Sequence, residues 1–341
     1  MKIPVLQDFA QRRSAGPALL FVAAVALVGC SPSIRIPSDL YAADSIYIAG
    51  QNQTSLLQFS ATANGTEPPK SMLSLPPAFR VASLATGSDA KIYVGDKASS
   101  RVLVYVADSE GADMPTRTLY LGANVLPALL AVDPDNLLYV GTPARGDQRP
   151  SINVYSATAE GNVSALRTIQ LSRFETLSDI AIDEDGSLYA GGVISLNDGS
   201  KSFAIEVFAA KGSGVAAPLR TILIPSTMYG ISVRADGAIF AGVMLGNGTE
   251  YAVEEFAAGA KGQATAVSTI YLPTPLGGVP TNLAVRIDGA GTIFVSLTYL
   301  AGYRTSPSIF IYSYDADANR SANPRTQLAA TGGLSTLALT N

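Results

Sequence analysis

The 341-residue chain contains no His, no Trp and a single Cys. Without imidazole there can be no Ser-His-Asp triad, no imidazole general base and no His-bound zinc, copper or iron. With one Cys there can be no disulfide within the chain. Charge is also scarce. Charged residues make up 15%, with 23 basic against 27 acidic side chains, a net charge of -4 and a pI near 5.0. Nothing in that balance supplies the basic footprint that nucleic acid requires, so no nucleic-acid partner is expected. The chemistry left open is that of carboxylates, alone or with an oxygen-ligated Ca²⁺ or Mg²⁺. What is plentiful is turn chemistry: 31 Gly and 20 Pro suit many short strands joined by tight connections.

The lone Cys sits at the end of an N-terminal pattern. Lys2, Arg12 and Arg13 precede the apolar run Ala18 to Val28, and Leu27-Val28-Gly29-Cys30 closes it. A basic n-region, a short apolar core and a small residue before a cut site describe a secretory signal, too short to span a bilayer comfortably. The closing four residues resemble the bacterial lipobox, whose Cys is lipidated and becomes the new N-terminus. The resemblance implies residues 1–29 as a lipoprotein signal peptide and residues 30–41 as lipidated Cys30 and a tether. It implies a protein anchored by Cys30 to the lipid bilayer of the cell envelope. Ser31 after the Cys fits the outer membrane, with the protein facing the periplasm.

From residue 42 onward the chain repeats. A small residue is followed eight positions later by an aromatic at Ala85/Tyr93, Ala131/Tyr139, Ala181/Tyr189 and Ser232/Phe240, and Ala284/Phe294 reads as the same unit with two residues inserted. The first aromatics, Tyr47, Tyr93, Tyr139, Tyr189, Phe240 and Phe294, are spaced by 46, 46, 50, 51 and 54 residues, the period of propeller blades. A second run ends in another aromatic in all six units: Phe59, Tyr105, Tyr155, Phe208, Phe256 and Tyr312. Its alternation, as in Ile152-Asn153-Val154-Tyr155, has the period of a strand. Turns such as Asp183-Glu184-Asp185-Gly186 separate the runs. Five of the six units close with a basic-hydroxyl pair such as Arg117-Thr118, Arg167-Thr168 or Arg220-Thr221, read as charge that protects an exposed outer edge, and Ser268-Thr269 lacks the base. Four short strands per unit without helices predict an all-β fold, a six-bladed β-propeller over residues 42–341. The first unit lacks an inner strand and Leu334 to Thr340 is an inner strand without a blade, so N- and C-terminal strands are expected to share the closing blade.

Lys91-Ile92-Tyr93-Val94-Gly95-Asp96 with Arg101-Val102-Leu103-Val104-Tyr105, and Asp183 to Tyr189, resemble NHL-type repeats and the six-bladed gluconolactonase-like group. That group implies a divalent metal on the axis, held by Asp or Asn side chains near the start of inner strands. The corresponding pairs here are Ser178-Asp179, Tyr229-Gly230 and Thr281-Asn282. Asp179 and Asn282 are displaced by one residue from the group's pattern, which in a regular strand turns a side chain to the other face. The acidic turns lack the spaced ligands of a calcium loop and read as plain hairpins.

The segments between the two aromatic strands vary most. They are short at 50–55 and 95–100 and long at 141–150, 191–202, 242–251 and 296–307. Length concentrated on one face of a rigid scaffold points to binding. The candidate binding residues there are Arg145, Asp147, Arg149, Lys201, Tyr251, Tyr299, Tyr303 and Arg304, since Tyr and Arg are enriched at the energetic centres of interfaces. The expected function is a ligand- or protein-binding module using this face, with no cofactor and with an envelope protein or small ligand as partner. The alternative is a metal-dependent hydrolase or lactonase with Ca²⁺ or Mg²⁺ at the channel mouth, held by Asp179 and Asn282. A purely structural envelope component is the third possibility.

Overall fold

The repeated turns show why the chain folds back on itself where it does. At Asp183-Glu184-Asp185-Gly186, the Asp183 amide donates to Ser187 O and the Gly186 amide to Asp183 O. Gly186 takes a φ of 78°, which L side chains avoid. Asp183 Oδ1 accepts from the Ser187 amide at 2.7 Å and Oδ2 from the Tyr189 hydroxyl at 3.1 Å. Asp133 does the same with the Asp135 and Leu137 amides and the Tyr139 hydroxyl. The carboxylate oxygens serve the turn itself, as expected of plain hairpins.

The computed structural model describes residues 43–340 except 51–53, 247, 249, 274–277, 302–307, 316 and 319–321. The signal segment, Cys30 and the tether lie outside the described residues. Among the described residues there is no helix. The strands form six four-stranded antiparallel blades arranged in a ring, a six-bladed β-propeller. Blade 2 runs Val81–Thr86, Lys91–Asp96, Arg101–Val106 and Arg117–Tyr120 from the axis outward. Blade 3 is Leu129–Val132, Leu138–Thr142, Ser151–Tyr155 and Arg167–Gln170. Blade 4 is Phe174–Ile182, Leu188–Ser195, Lys201–Phe208 and Arg220–Ile224. Blade 5 is Thr227–Val233, Ile239–Leu245, Glu250–Phe256 and Ser268–Tyr271. Blade 6 begins Gly278–Ile287, Ile293–Ala301 and Ser308–Tyr314; blade 1 holds Ser45–Gly50, Ser55–Ser60 and Ser71–Ser74.

One strand, Thr326–Thr340, completes both of those last blades. Its first half pairs with Ser308–Tyr314 as the outer strand of blade 6, and its second half pairs Ser45 with Thr340 through Ile48 with Leu337 as the inner strand of blade 1. The expected shared closure is present, but as a single continuous strand that passes from the rim to the axis.

The core lies between blades. Ala85, Tyr93, Val102 and Leu119 of blade 2 pack with Leu130, Leu138, Val140 and Tyr155 of blade 3, all buried. Equivalent clusters fill the interfaces of blades 3 with 4 and 4 with 5. Close approach is required at the second strands, where a Cβ on Gly242 would lie 1.9 Å from Leu283 Cδ2 of the next blade. Only Gly admits that contact.

The blades are also tied by hydrogen bonds at their rims. Gly65, Gly111, Gly161, Gly214 and Gly262 sit in the turns leading to outer strands, with φ values of 64°, 58°, 70°, 65° and 64°. Each forms a short parallel bridge to the outer strand of the preceding blade, at Leu328, Leu73, Leu119, Ile169 and Ile222 respectively. The outer-strand arginines add to this link and do not act as edge protection. Arg167 Nη2 donates to Tyr139 OH at 2.7 Å in its own blade and to Ala210 O at 2.8 Å in the next. Arg117 reaches Ala157 O and Ala159 O, and Arg220 reaches Ala258 O and Tyr189 OH. A guanidinium has five donors in a planar fork, so it can satisfy two blades at once.

Candidate functional site

The face expected to carry long loops is built largely of ladder. In blade 4, Leu188–Ser195 and Lys201–Phe208 stay paired to the tip, Ser195 opposite Lys201. In blade 5, Leu245 pairs with Glu250. In blade 6, Ile293–Ala301 and Ser308–Tyr314 pair as far as Tyr299 with Ser308. The expected loops at 191–202 and 242–251 are therefore extended hairpins. Asn197-Asp198-Gly199 makes the tip of the first, with Gly199 at φ 83° and Asp198 Oδ1 accepting from the Ser200 amide and hydroxyl.

The candidate binding residues separate into three groups. Arg145, Asp147, Arg149 and Lys201 lie together at this face. Arg145 and Gln148 exchange backbone hydrogen bonds across the blade 3 connection, leaving Arg145 and Asp147 exposed. Arg149 donates to Phe174 O at 3.2 Å and pairs with Glu175 Oε1. Glu175 also accepts from Ser195 Oγ and faces Lys201 Nζ at 3.6 Å. The Ser195 hydroxyl and the Arg149 guanidinium hold the Glu175 carboxyl down at about 2, with Lys201 adding to the effect. Glu175 was not among the sequence candidates, because it belongs to the strand that enters blade 4 and not to any long segment. Tyr251 forms the second group. It was expected in a loop but is a strand residue, 2% exposed, with its ring 6.1 Å from that of Tyr229. Burial pushes its hydroxyl up to about 12. Its ring is part of the core and is not presented on the face. Tyr299 is likewise in a strand, paired with Pro280 and Ser308. The third group, Tyr303 and Arg304, lies outside the described residues.

Behind this face is a cavity of about 90 Å³ on the axis, lined by inner-strand residues from all six blades. Among them are Ser83, Ser178, Asp179, Tyr229, Asn282 and Arg286. β-Bulges shape it. Pairing skips Ala82 between Val81↔Asp96 and Ser83↔Gly95, Ser178 between Leu177↔Gly192 and Asp179↔Gly191, and Tyr229 between Met228↔Val243 and Gly230↔Gly242. An inserted residue resets which face the following side chains occupy. This is why Asp179 lines the cavity although a regular strand would turn it away. In blade 6 the bulge falls at Thr281, opposite the step from Tyr299 to Thr298. Counted from the second-strand aromatic, Asn282 thus lies two residues nearer the hairpin face than Asp179, about 7 Å of strand rise.

The same register corrects the reading of the sixth repeat. Phe294 pairs with Arg286, as Tyr189 pairs with Ala181 and Phe240 with Ser232. There is no insertion: Arg286 occupies the axial register that is Ala or Ser in the other five blades, at Ala85, Ala131, Ala181, Ser232 and Ala338. Sequence reasoning missed Arg286, although an uninterrupted count of eight back from Phe294 lands on it. From that register its Nη1 reaches Asp179 Oδ2 at 3.0 Å, Val285 O at 2.7 Å and Ile231 O at 3.4 Å.

Asp179 is 6% exposed and fully engaged. Its Oδ1 accepts from the Ile180 amide at 2.9 Å, and Oδ2 from the Ile231 amide and Arg286 at 3.0 Å each. Asn282 Oδ1 accepts from the Leu283 amide. A cation at Asp179 would have to share the carboxylate with a guanidinium already bonded to it. No group of three His, Cys, Asp or Glu side chains converges among the described residues.

Neither a family model nor a curated protein matches the chain. Solved structures do match. A protein of unknown function from Bacteroides caccae aligns with a TM-score of 0.56 and 11% identity, over 88% of this chain and 100% of its own. A protein from Lactobacillus plantarum aligns with a TM-score of 0.52 and 15% identity, over 84% of this chain and 83% of that one. A PQQ-bound aldose sugar dehydrogenase from Streptomyces coelicolor reaches a TM-score of 0.49 with 16% identity, over 74% of this chain and 84% of its own. At such identities the likeness to the Bacteroides caccae and Lactobacillus plantarum proteins is one of fold alone.

Proposed function

We propose that this chain is a binding module that presents the hairpin face of its propeller to an envelope protein or a small ligand. In this reading Cys30 carries the lipid that holds it at the outer membrane, facing the periplasm. The observation that carries the proposal is the network on that face. Arg149 from blade 3 and Lys201 from blade 4 converge on one carboxylate, Glu175, and Ser195 completes its shell. Exposed ion pairs of this kind add little to stability, usually under about 1 kcal/mol. A rigid polar patch held above a closed scaffold is therefore better suited to recognition than to holding blades together. Arg145 and Asp147, in the connection that leads to Arg149, are exposed. The hydrolase or lactonase alternative would place a metal on a carboxylate whose charge Arg286 already offsets.

Site-specific photo-crosslinking in the producing cell tests the reading. A photoreactive residue at position 147, on the hairpin face, is expected to give a discrete adduct. The same residue at position 185, in an exposed turn at the opposite end of blade 4, is expected to give none. Equal adducts from both positions, or none from position 147, would overturn the proposal.

A further inference from the structure

The axial cavity carries a second, independent reading that does not rest on the hairpin face. We infer that it binds a small carboxylate-bearing molecule, and that the Arg286 guanidinium is the group that recognises the carboxylate.

The first argument is the placement of the charge. Blades converge at the axis, and five of them meet the demand for close approach with Ala or Ser. The sixth places the bulkiest cation there, taking on a desolvation penalty that an Ala would avoid. The ring does not need that side chain in order to close, since the other five positions do without one. The second argument is valence. Among the described residues only Nη1 of Arg286 has protein partners. Nε and Nη2 are not among the buried atoms left without a partner, so their donors stay accessible to a molecule that enters the cavity. A guanidinium edge presents parallel N–H groups that match the two oxygens of a carboxylate.

Asp179 is the positioning residue. Its two backbone amide bonds hold it in place and share its negative charge, and its bond to Nη1 fixes the plane of the guanidinium. The rest of the lining is of a different kind. Ser178, Asn282 and Thr336 bring hydroxyl and amide groups, and among the described residues Arg286 and Asp179 are the only charged ones around the cavity. A volume of about 90 Å³ holds several waters, or a molecule of a few non-hydrogen atoms in their place. Short-chain carboxylates such as acetate, pyruvate or lactate have that size. A divalent cation would meet a guanidinium in the same space at short range, where like charges repel.

The test uses the full chain in detergent, titrated with acetate, pyruvate and lactate, with acetamide as the uncharged isostere of acetate. Binding is read by calorimetry and by the melting temperature. At least one carboxylate is expected to bind and raise the melting temperature while acetamide does not. Arg286→Ala is expected to fold, because it restores the residue found elsewhere in the ring, and to lose the response. Arg286→Lys keeps the charge but not the fork. It should weaken binding about tenfold or more, the factor that loss of one charged hydrogen bond corresponds to. Should the alanine variant fail to fold, the lysine variant carries the test alone. No response from the native chain to any of the three acids, or an equal response in the Arg286 variants, overturns the inference. So does a melting-temperature rise with Ca²⁺ or Mg²⁺ that disappears in Asp179→Ala. A crosslink from position 147 is expected to persist in Arg286→Ala, so failure here and failure of the hairpin-face reading are separable.

Discussion

At the scale of single residues, the interfaces between blades contain carboxylates in unlike settings. Glu206 and Glu254 occupy equivalent places in the third strands of blades 4 and 5, opposite Thr221 and Thr269. Glu206 is paired with Arg173 at 2.7 Å, whereas Glu254 Oε2 is buried with no hydrogen-bond partner among the described residues. Burial raises the Glu254 carboxyl above its ordinary 4.5. A carboxyl raised in the folded state favours folding while it is protonated. Its contribution is complete below the ordinary carboxylate range and is lost as pH rises through the folded value. Glu254→Gln should therefore melt above the native chain at pH 8, with the difference vanishing near pH 4. Melting curves at the two pH values check this, and an unchanged gap would show that Glu254 is solvated. Neither this residue nor Arg286 stood out in the sequence as chemistry. Glu254 reads as one polar residue in an alternating strand, and Arg286 was hidden by aligning the sixth repeat on Ala284. Asp179 was legible as an axial residue, but its partners Ile231 and Arg286 were not, because they come from two other blades.

At the scale of elements, the strands and turns were readable because each is encoded within its own unit. The eight-residue spacing, the alternation and the Asp-Gly turns all act over short distances. The hairpin tips were readable in principle as well: Asn197-Asp198-Gly199 is a tight-turn signal, and it shortens the supposed loop to a tip. What a single unit does not display is how it joins the next. The glycines at 65, 111, 161, 214 and 262 look like ordinary turn residues, yet each forms a bridge to the neighbouring blade. Gly161 and Gly259 make a controlled pair, since a Cβ on either meets nothing within 4 Å and only Gly161 has a positive φ. Gly161→Ala should cost about 1 kcal/mol, the price of a left-handed L residue, and more if the bridge to Leu119 is lost. Gly259→Ala should be nearly neutral. Urea titrations of the two variants compare them directly, and equal midpoints would mean the turn relaxes without penalty.

At the scale of the whole molecule, six blades and a shared closure followed from counting units and noticing one unit short of a strand and one strand short of a unit. The function did not follow from counting. Arg149, Glu175 and Lys201 lie in three separate stretches of sequence and meet only because the ring brings blades 3 and 4 together. The closure gives its own test. Deleting Leu334 to Asn341 removes the inner strand of blade 1 and uncovers Ser45 to Ala49. Loss of a packed strand that also contributes Leu337 and Ala338 to two core clusters should cost several kcal/mol. A truncated chain that melts within a few degrees of the native one would contradict the shared strand.

That strand also bears on how the protein is made. Residue 45 is among the first of the propeller to be synthesised, and its inner partner, Thr340, is among the last. Until the last strand of the propeller has been synthesised, the edge at Ser45–Gly50 has no mate. Its unpaired amides and carbonyls form a template for any passing strand. A contact spanning nearly the whole chain is also slow to form, since the loop it closes is as long as the domain. One strand edge thus stays open while the rest of the propeller is made, and a chain that lacks the closing strand keeps that edge for good.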